Sequence, residues 1–471
     1  MSRRIRTHYL AAIVAFFSVT LTEAQTTPVA KIQQKAKPLQ SIPAIAISPD
    51  GAYLAVSRYS LNGNEIRSDE DDSIELWPLH AALAPSSFAK SLHPIRSLAF
   101  SHNSEWLGAA SQGLETIQDT PPDTPQIFVG KVYLWHVADS FEVRLKRPQI
   151  RQFYAVEGTY DEWSATSVAF SPDDKQVVAD VFEVDRFPEY DVHATFFDIA
   201  TAHAANSTDL DREDSDPFWR RFSWLSPDGR RAFVLNRNKP VLINTLNGRK
   251  VPSFTPSQIY FRPSVQDACD LGLHAFGFTA FQPDMRQVAI ANDNDLEIRD
   301  AKTGAIAGQS KIEQASDITR SLTATFSADG ATLALSRCGM SNAGVSRGEV
   351  RIYGTAKLYL RSALPVEAVQ TSLQFTPDGS LLFAAGHDGV IRVFDVEKLT
   401  VAATLIRQDD GEWVVFTPDG LYDASAGGAT MLTWQLQGRS VSASDLPGMR
   451  LPGLLSILIR GKRPKPAEPL I

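Results

Sequence analysis

One unit recurs eight times and constrains this chain more than any other feature: a short apolar strand, a tight polar turn and a second apolar strand. The clearest copies have Ser-Pro-Asp-Gly or Thr-Pro-Asp-Gly at the turn. Proline presets one turn dihedral, and glycine supplies the left-handed backbone that lets the second strand pair back onto the first. The turn residues that we expect to be structural are Pro49, Asp50, Gly51, Pro227, Asp228, Gly229, Pro377, Asp378, Gly379, Pro418, Asp419 and Gly420.

A third apolar strand follows each copy, as in "KVYLWHV" (131–137) and "VIRVFDV" (390–396). The turns begin at residues 48, 101, 171, 226, 282, 327, 376 and 417. Such a series of β-units is typical of a β-propeller, because one unit alone cannot bury both of its faces. The sequence therefore predicts an all-β propeller over residues 40–440. Eight blades are favoured, and seven blades plus an irregular unit are the alternative.

The repeat series resembles the repeats of WD-repeat propeller proteins, in a divergent bacterial form. The resemblance covers nearly all of residues 40–440, although no Trp-Asp pair occurs and no Gly-His dipeptide opens the blades. It implies a ring of WD-repeat-like blades that binds other molecules through its loops. It also implies that the N-terminal segment, residues 25–39, supplies a strand that completes the last sheet and closes the ring.

The C-terminal part carries a narrower resemblance. The stretch "GEWVVFTPDGLYDAS" (411–425), with Trp434 and a leucine-rich segment after it, resembles the end of bacterial WD-repeat proteins that continue into a caspase-like peptidase domain. No His/Cys dyad can be carried over, so we expect no protease activity. Residues 441–471 are predicted to form a short helix and a Pro-rich tail, and one helical face would hold Leu451, Leu454, Leu455, Leu458 and Ile459.

The longest insertions fall between the second and third strands of the early units, which open on one face of a propeller. They combine an acidic run with interleaved aromatic residues, and loops on a rigid scaffold commonly bind partners. The alternative is solvated loops without a ligand. The candidate partner-binding residues are Asp69, Glu70, Asp71, Asp72, Phe128, Phe182, Asp185, Phe187 and Tyr190.

Recognisable catalytic motifs are absent from the sequence. No histidine pair has zinc spacing, no Gly-x-Ser-x-Gly elbow occurs, and there is no phosphate-binding glycine loop. The acidic run also lacks the spaced carboxylates of a calcium loop. We therefore expect a non-enzymatic protein without a cofactor or metal. A propeller hydrolase or lactonase, with carboxylates scattered around the tunnel, is one alternative, and an adaptor for a separately encoded peptidase is another.

Residues 1–24 predict export. Three arginines precede an apolar run over residues 9–21 and a small residue at position 24, which is the pattern of a signal peptide. We expect a periplasmic or secreted protein with no membrane span after cleavage; an uncleaved anchor in the inner membrane is the alternative. Cys269 and Cys338 fall in neighbouring blades, so an exported protein is predicted to bridge them, with two free thiols as the alternative.

The charge balance excludes some classes of partner. The net charge is −8 without basic clusters, which argues against nucleic acid and against electrostatic docking on anionic lipid. The sequence as a whole predicts a monomeric scaffold or sensor that binds a protein or peptide through propeller loops.

Overall fold

The computed structural model describes most of the chain after residue 28. The described residues are 29–32, 40–62, 65–66, 72–91, 94–111, 113–115, 127–129, 131–146, 164–186, 189–211, 223–236, 239–251, 279–291, 294–313, 320–340, 346–436 and 439–464. Within these ranges, no helix is long and apolar enough to cross a membrane. Two short strands come first, β1 (Val29–Ile32) and β2 (Gln40–Ser41).

Antiparallel sheets then follow one another along the chain, and each takes its strands in sequence order. The first two blades contain β3 (Ile45–Ile47), β4 (Tyr53–Asn62), β5 (Glu65–Ile66), β6 (Asp72–Pro78) and β7 (Ser86–Ser91), then β8 (Ile95–Phe100), β9 (Trp106–Ser111), β10 (Gly113–Glu115), β11 (Ile127–Val129) and β12 (Val132–His136). The third and fourth contain β13 (Ser164–Phe170), β14 (Gln176–Arg186), β15 (Glu189–Asp198) and β16 (Ala204–Asp211), then β17 (Ser223–Leu225), β18 (Arg231–Asn236) and β19 (Lys239–Asn244).

The later blades are built in the same way. The fifth and sixth contain β20 (Thr279–Phe281), β21 (Gln287–Ala291), β22 (Asp295–Asp300) and β23 (Ile306–Lys311), then β24 (Arg320–Phe326), β25 (Thr332–Met340), β26 (Ser346–Gly354) and β27 (Tyr359–Val366). The seventh contains β28 (Gln370–Phe375), β29 (Leu381–Gly386), β30 (Val390–Asp395) and β31 (Thr400–Arg407). After it come β32 (Trp413–Phe416), β33 (Tyr422–Ala424), β34 (Leu432–Leu436), β35 (Arg439–Ser442) and helix α1 (Leu454–Ile459), with 3-10 turns at Gly428–Met431, Ala443–Asp445 and Pro447–Met449.

The turn between the first and second strands is closed by a serine or threonine that bonds to the aspartate two residues later. Ser48 Oγ donates to Asp50 Oδ1 at 2.6 Å, and the same oxygen accepts the Ala52 N–H at 2.9 Å. Gly51 follows with φ of 72°, in the left-handed region that favours glycine. The same bond recurs in the pairs Ser226–Asp228, Ser327–Asp329, Thr376–Asp378 and Thr417–Asp419.

Hydroxyl groups on the first strands join neighbouring blades. Ser167 Oγ in the third blade accepts the Leu225 N–H of the fourth at 3.0 Å. Ser372 Oγ in the seventh blade accepts the Ile45 N–H of the first at 3.3 Å. The seventh blade is therefore followed by the first in the ring, just as the third is followed by the fourth.

The favoured count of eight blades does not hold in the described part of the chain, which contains seven blades and an irregular unit. The eighth repeat forms the hairpin β32–β33, which pairs with the outer strand β31 through Thr404 and Phe416. Its third strand, β34, pairs instead with β1 and β35. The reason is that β28 already packs against β3, so the ring has closed before the eighth repeat begins.

Helix α1 packs over the junction between the first and seventh blades, which we call the seam. Its buried residues Leu454, Leu455 and Leu458 belong to a core cluster that includes Trp77 of the first blade and Phe383 of the seventh. Each blade at this seam takes its own consecutive strands, whereas β1, from the N-terminal segment that was expected to complete the last sheet, pairs with β34 of the eighth repeat. The predicted all-β propeller with one short helix is thus confirmed.

Two arginines after α1 hold the same seam. Arg460 Nη2 donates to the His80 carbonyl in the first blade at 2.6 Å. Arg463 Nη2 donates to Asp395 Oδ2 in the seventh blade at 2.8 Å. The segment that follows the last sheet therefore bridges the two blades by apolar packing and by hydrogen bonds.

Candidate functional site

The blades present two different ends of the ring. In a four-stranded meander, the first-to-second and third-to-fourth connections share one end, and the second-to-third connection lies at the other. Turns of neighbouring blades contact one another, since Ser104 Oγ accepts the Asp50 N–H at 3.2 Å. We call the end with these contacts the turn face. The opposite end, with the connections β4 to β6, β9 to β12 and β14 to β15, is the hairpin face.

Among the described residues, the longest extension on the hairpin face comes from the third blade. Strands β14 and β15 have 11 and 10 residues and pair from Gln176 opposite Asp198 to Arg186 opposite Glu189. One register shift interrupts the ladder, between Val184 and Arg186. The second and third strands of the third blade thus continue as a hydrogen-bonded hairpin and are not joined by an irregular loop.

The first and second blades also extend on the hairpin face. Strand β4 reaches Asn62 and folds back onto β5, with Leu61 opposite Ile66. The hairpin β10–β11 continues the ladder of β9 and β12, with Gly113 opposite Val129. Three consecutive blades therefore build ordered backbone on one face, which a partner could contact together.

The predicted loop residues are distributed over these extensions. Asp69, Glu70, Asp71 and Phe187 lie outside the described residues. The others were expected in loops, and the structure has them in strands, because alternating Val, Phe and Tyr residues favour β-structure. Their positions are Asp72 in β6, Phe128 in β11, Phe182 and Asp185 in β14, and Tyr190 in β15.

A buried carboxylate anchors the third hairpin at its base. Asp180 Oδ1 accepts the N–H groups of Thr166 and Ser167 at 2.9 and 2.6 Å, and Oδ2 accepts the Thr166 hydroxyl at 2.6 Å. Ser57 holds the equivalent place in the first blade and bonds to Ala44. These residues were not among those predicted from the sequence, although a small polar residue ends the second strand in several copies of the repeat.

An ionic cluster lies across the seam between the first and seventh blades. Glu75 Oε1 is 3.0 Å from Arg58 Nε and accepts Arg407 Nη1 at 2.5 Å. Arg58 also donates to the Gly389 carbonyl at 2.9 Å. Burial raises the pKa of Glu75, but the charges of the two arginines outweigh burial and hold that pKa below its usual value. This cluster ties the two blades together independently of α1.

One serine–histidine contact resembles part of a catalytic site. Ser41 Oγ lies 3.0 Å from His387 Nδ1, and burial lowers the pKa of His387, an effect that Asp388 only partly offsets. Ser41 is fully buried. Asp388 pairs with Arg392 at 2.7 Å. The contact therefore joins β2 to the seventh blade.

The polar residues of the eighth repeat hold the chain outside the ring. Ser425 Oγ donates to Glu412 Oε2 at 2.5 Å and accepts the Trp413 N–H at 2.8 Å. Asp423 Oδ2 accepts the Gly453 N–H at 2.7 Å, just before α1 begins. These side chains satisfy backbone groups and connect the hairpin β32–β33 to the closing helix.

Of the two cysteines that are predicted to form a disulfide, only Cys338 lies in the described part of the chain. Cys338 lies in β25, fully buried against Leu322 and Val369. Cys269 lies outside the described residues, so the bridge stays a prediction. In the part of the chain that the structure describes, no three His, Cys, Asp or Glu side chains gather as metal ligands.

Comparison with known proteins identifies one segment. The family described as "WD domain, G-beta repeat" matches residues 365–395, which contain β28, β29 and β30 of the seventh blade. A search of curated proteins found no match to this chain. The matched repeat, together with the ring of blades, supports a WD-repeat β-propeller.

Proposed function

We propose that this protein is an exported, non-enzymatic scaffold or sensor that binds a protein or peptide partner on its hairpin face. WD-repeat propellers are commonly interaction scaffolds, and the fold supports that general function here. The observation that carries the choice of face is the set of extensions from three consecutive blades. Rigid strands that project together lose less conformational entropy on binding than separate loops do.

The proposal of export rests on the N-terminal pattern alone. Basic residues, a short apolar run and a small residue at position 24 are the features of a secretory signal. Cell fractionation of the tagged full-length chain tests it. Recovery of the unprocessed chain from the cytoplasm would contradict export without bearing on the binding face.

The test of the hairpin face shortens one hairpin and leaves its base intact. Replacing residues 183–191 with Asn-Gly keeps Phe182 opposite Val192 and closes the strands with a two-residue turn. Cross-linked partners of the mature protein in envelope extract are then compared by mass spectrometry. The matched control is Phe141→Ser, an exposed side chain on the turn face.

We expect at least one partner to be lost with the shortened hairpin and retained with the control. Equal recovery with both variants would contradict binding through this hairpin. Turnover of a small ester or lactone by the purified protein, with no specific partner recovered, would favour the hydrolase alternative.

A further inference from the structure

The two-residue strand β2 contacts both blades of the seam. Within the first blade it pairs with β4, where Gln40 lies opposite Ser60 and Ser41 lies opposite Tyr59. Ser41 Oγ also lies 3.0 Å from Nδ1 of His387, which belongs to the turn between β29 and β30 of the seventh blade. A titratable side chain therefore joins β2 to the neighbouring blade.

Backbone hydrogen bonds hold the two sides of this contact in place. The His387 N–H donates to the Val369 carbonyl at 2.9 Å, which fixes the turn against the chain just before β28. Thr371 Oγ1 in β28 donates to the Ile42 carbonyl, directly after β2. The imidazole of His387 is thus held beside β2 in a half-buried position.

The carboxylates around this turn are already paired with arginines. Asp388, next to His387 in the chain, pairs with Arg392 Nη2 at 2.7 Å. Arg58 of β4 donates to a carbonyl of the same turn at 2.9 Å and lies 3.0 Å from Glu75. Burial therefore lowers the pKa of His387 below its ordinary value of 6.5, and the charge of Asp388 offsets this effect only in part.

A proton on His387 would place a cation in the seam. The neutral ring can donate to Ser41 or accept from it, whereas the protonated ring can only donate. If β2 leaves, water reaches the imidazole, which then binds a proton with its ordinary pKa of 6.5. As pH falls from this value towards the lower pKa of the buried ring, protonation favours the released strand, so stabilisation of the bound strand is lost.

We propose that His387 makes β2 a proton-sensitive strand, which leaves the seam in mildly acidic solution and returns to it at neutral pH. Release removes the neighbour of Tyr59 and Ser60, at the base of the β4 extension on the hairpin face. The proposal requires no bound partner, so it does not depend on the proposed function.

The test measures amide hydrogen exchange by mass spectrometry in a peptide spanning residues 40–47 of the mature protein. Protection factors are compared at about pH 7.5 and about pH 5.5, on either side of the ordinary histidine pKa. His387→Gln keeps a hydrogen-bonding group that does not titrate. The matched control is His102→Gln, because His102 Nδ1 lies 2.8 Å from Asp174 Oδ1 on the turn face, away from the seam.

We expect the protection factor of wild type to fall severalfold at the lower pH. The ceiling is about tenfold, because a free imidazole one pH unit below its pKa is about tenfold more protonated than neutral. His102→Gln should show the same fall as wild type, and His387→Gln should show none. Equal falls in wild type and His387→Gln would overturn the proposal.

A second variant decides the question if His387→Gln does not fold. Ser41→Ala removes the contact and leaves the titrating ring, so residues 40–47 should already be less protected than in wild type at about pH 7.5. Protection equal to that of wild type would show that the contact does not hold β2. A titration of the His387 ring by NMR with its midpoint at or above 6.5 would also overturn the proposal.

Discussion

At the scale of single residues, Glu75 is a charged side chain that is almost completely buried. Its side chain is 2% exposed and lies between two arginines that come from the first and seventh blades. Burying three charges is favourable only while the carboxylate offsets both guanidinium groups. Loss of that carboxylate leaves two buried cations in contact across the seam.

Glu75→Gln should therefore destabilise the protein. We expect the free energy of unfolding to fall by about 3 kcal/mol, as for other buried pairs that lose one partner. Urea denaturation followed by tryptophan fluorescence measures it. The control is Asp284→Asn, whose ion pair with Arg286 is largely exposed and should contribute little. Equal effects of the two substitutions would contradict the role of the cluster.

Acid should weaken the same cluster. Because the pKa of Glu75 is lowered in the folded protein, its stabilisation is present above the ordinary value of 4.5 and is lost as pH falls through the folded pKa. The difference in unfolding free energy between wild type and Glu75→Gln should shrink below pH 4.5. Denaturation curves across this range check it, and a difference independent of pH would refute the assignment.

At the scale of elements, helix α1 packs against both the first and the seventh blade although it has only six residues. A helix this short is not stable alone, so its structure depends on the seam that it covers. Its leucines contact a core shared by the first and seventh blades, and its flanking arginines reach one blade each. The helix therefore packs over the seam, while the N-terminal strand that the resemblance implied pairs with β34 of the eighth repeat.

Truncating a buried leucine of α1 should loosen the seam. Leu458→Ala removes a side chain that is 2% exposed and should cost about 2–4 kcal/mol of unfolding free energy. Ile457→Ala, on the half-buried side of the helix, is the matched control and should cost less. Hydrogen exchange should then speed up in β3 and β28, and unchanged exchange there would mean that α1 does not close the ring.

At the scale of the whole molecule, the two faces of the ring are built differently. The hairpin face has extended hairpins, and the turn face has short turns. Because the two faces lie at opposite ends of the strands, a partner bound on the hairpin face would leave the turn face uncovered.

The predicted disulfide between Cys269 and Cys338 concerns both the stability of the fold and the compartment in which the protein resides. If Cys269 and Cys338 are paired, the oxidised protein will not react with iodoacetamide even after denaturation, and will take up two labels after reduction. Intact mass spectrometry measures both states. Cys338→Ser should lower stability by about 2–4 kcal/mol, since the bridge closes a long loop. Labelling of the denatured, unreduced protein would show two free thiols instead.

Local chemistry explains which parts of this structure could be predicted from sequence. The turn at Ser48–Gly51 is predictable because its hydrogen bonds join residues that are close in the chain. The blade count and the Glu75 cluster could not be predicted in this way, because they depend on contacts between residues that are far apart in the chain, such as Glu75 and Arg407. The hairpin strands were missed because insertions between repeats carry no repeat of their own.

The pairing of β1 with β34 has a consequence for a pulling force that acts on the N-terminal segment. Val29–Ile32 hydrogen-bond to Leu432–Gln435, outside the ring and beyond its closing seam. Tension applied to the chain ahead of Val29 acts first on this four-residue ladder. We therefore expect a protein pulled by its N-terminal segment to lose the β1–β34 ladder before its first blade comes under tension.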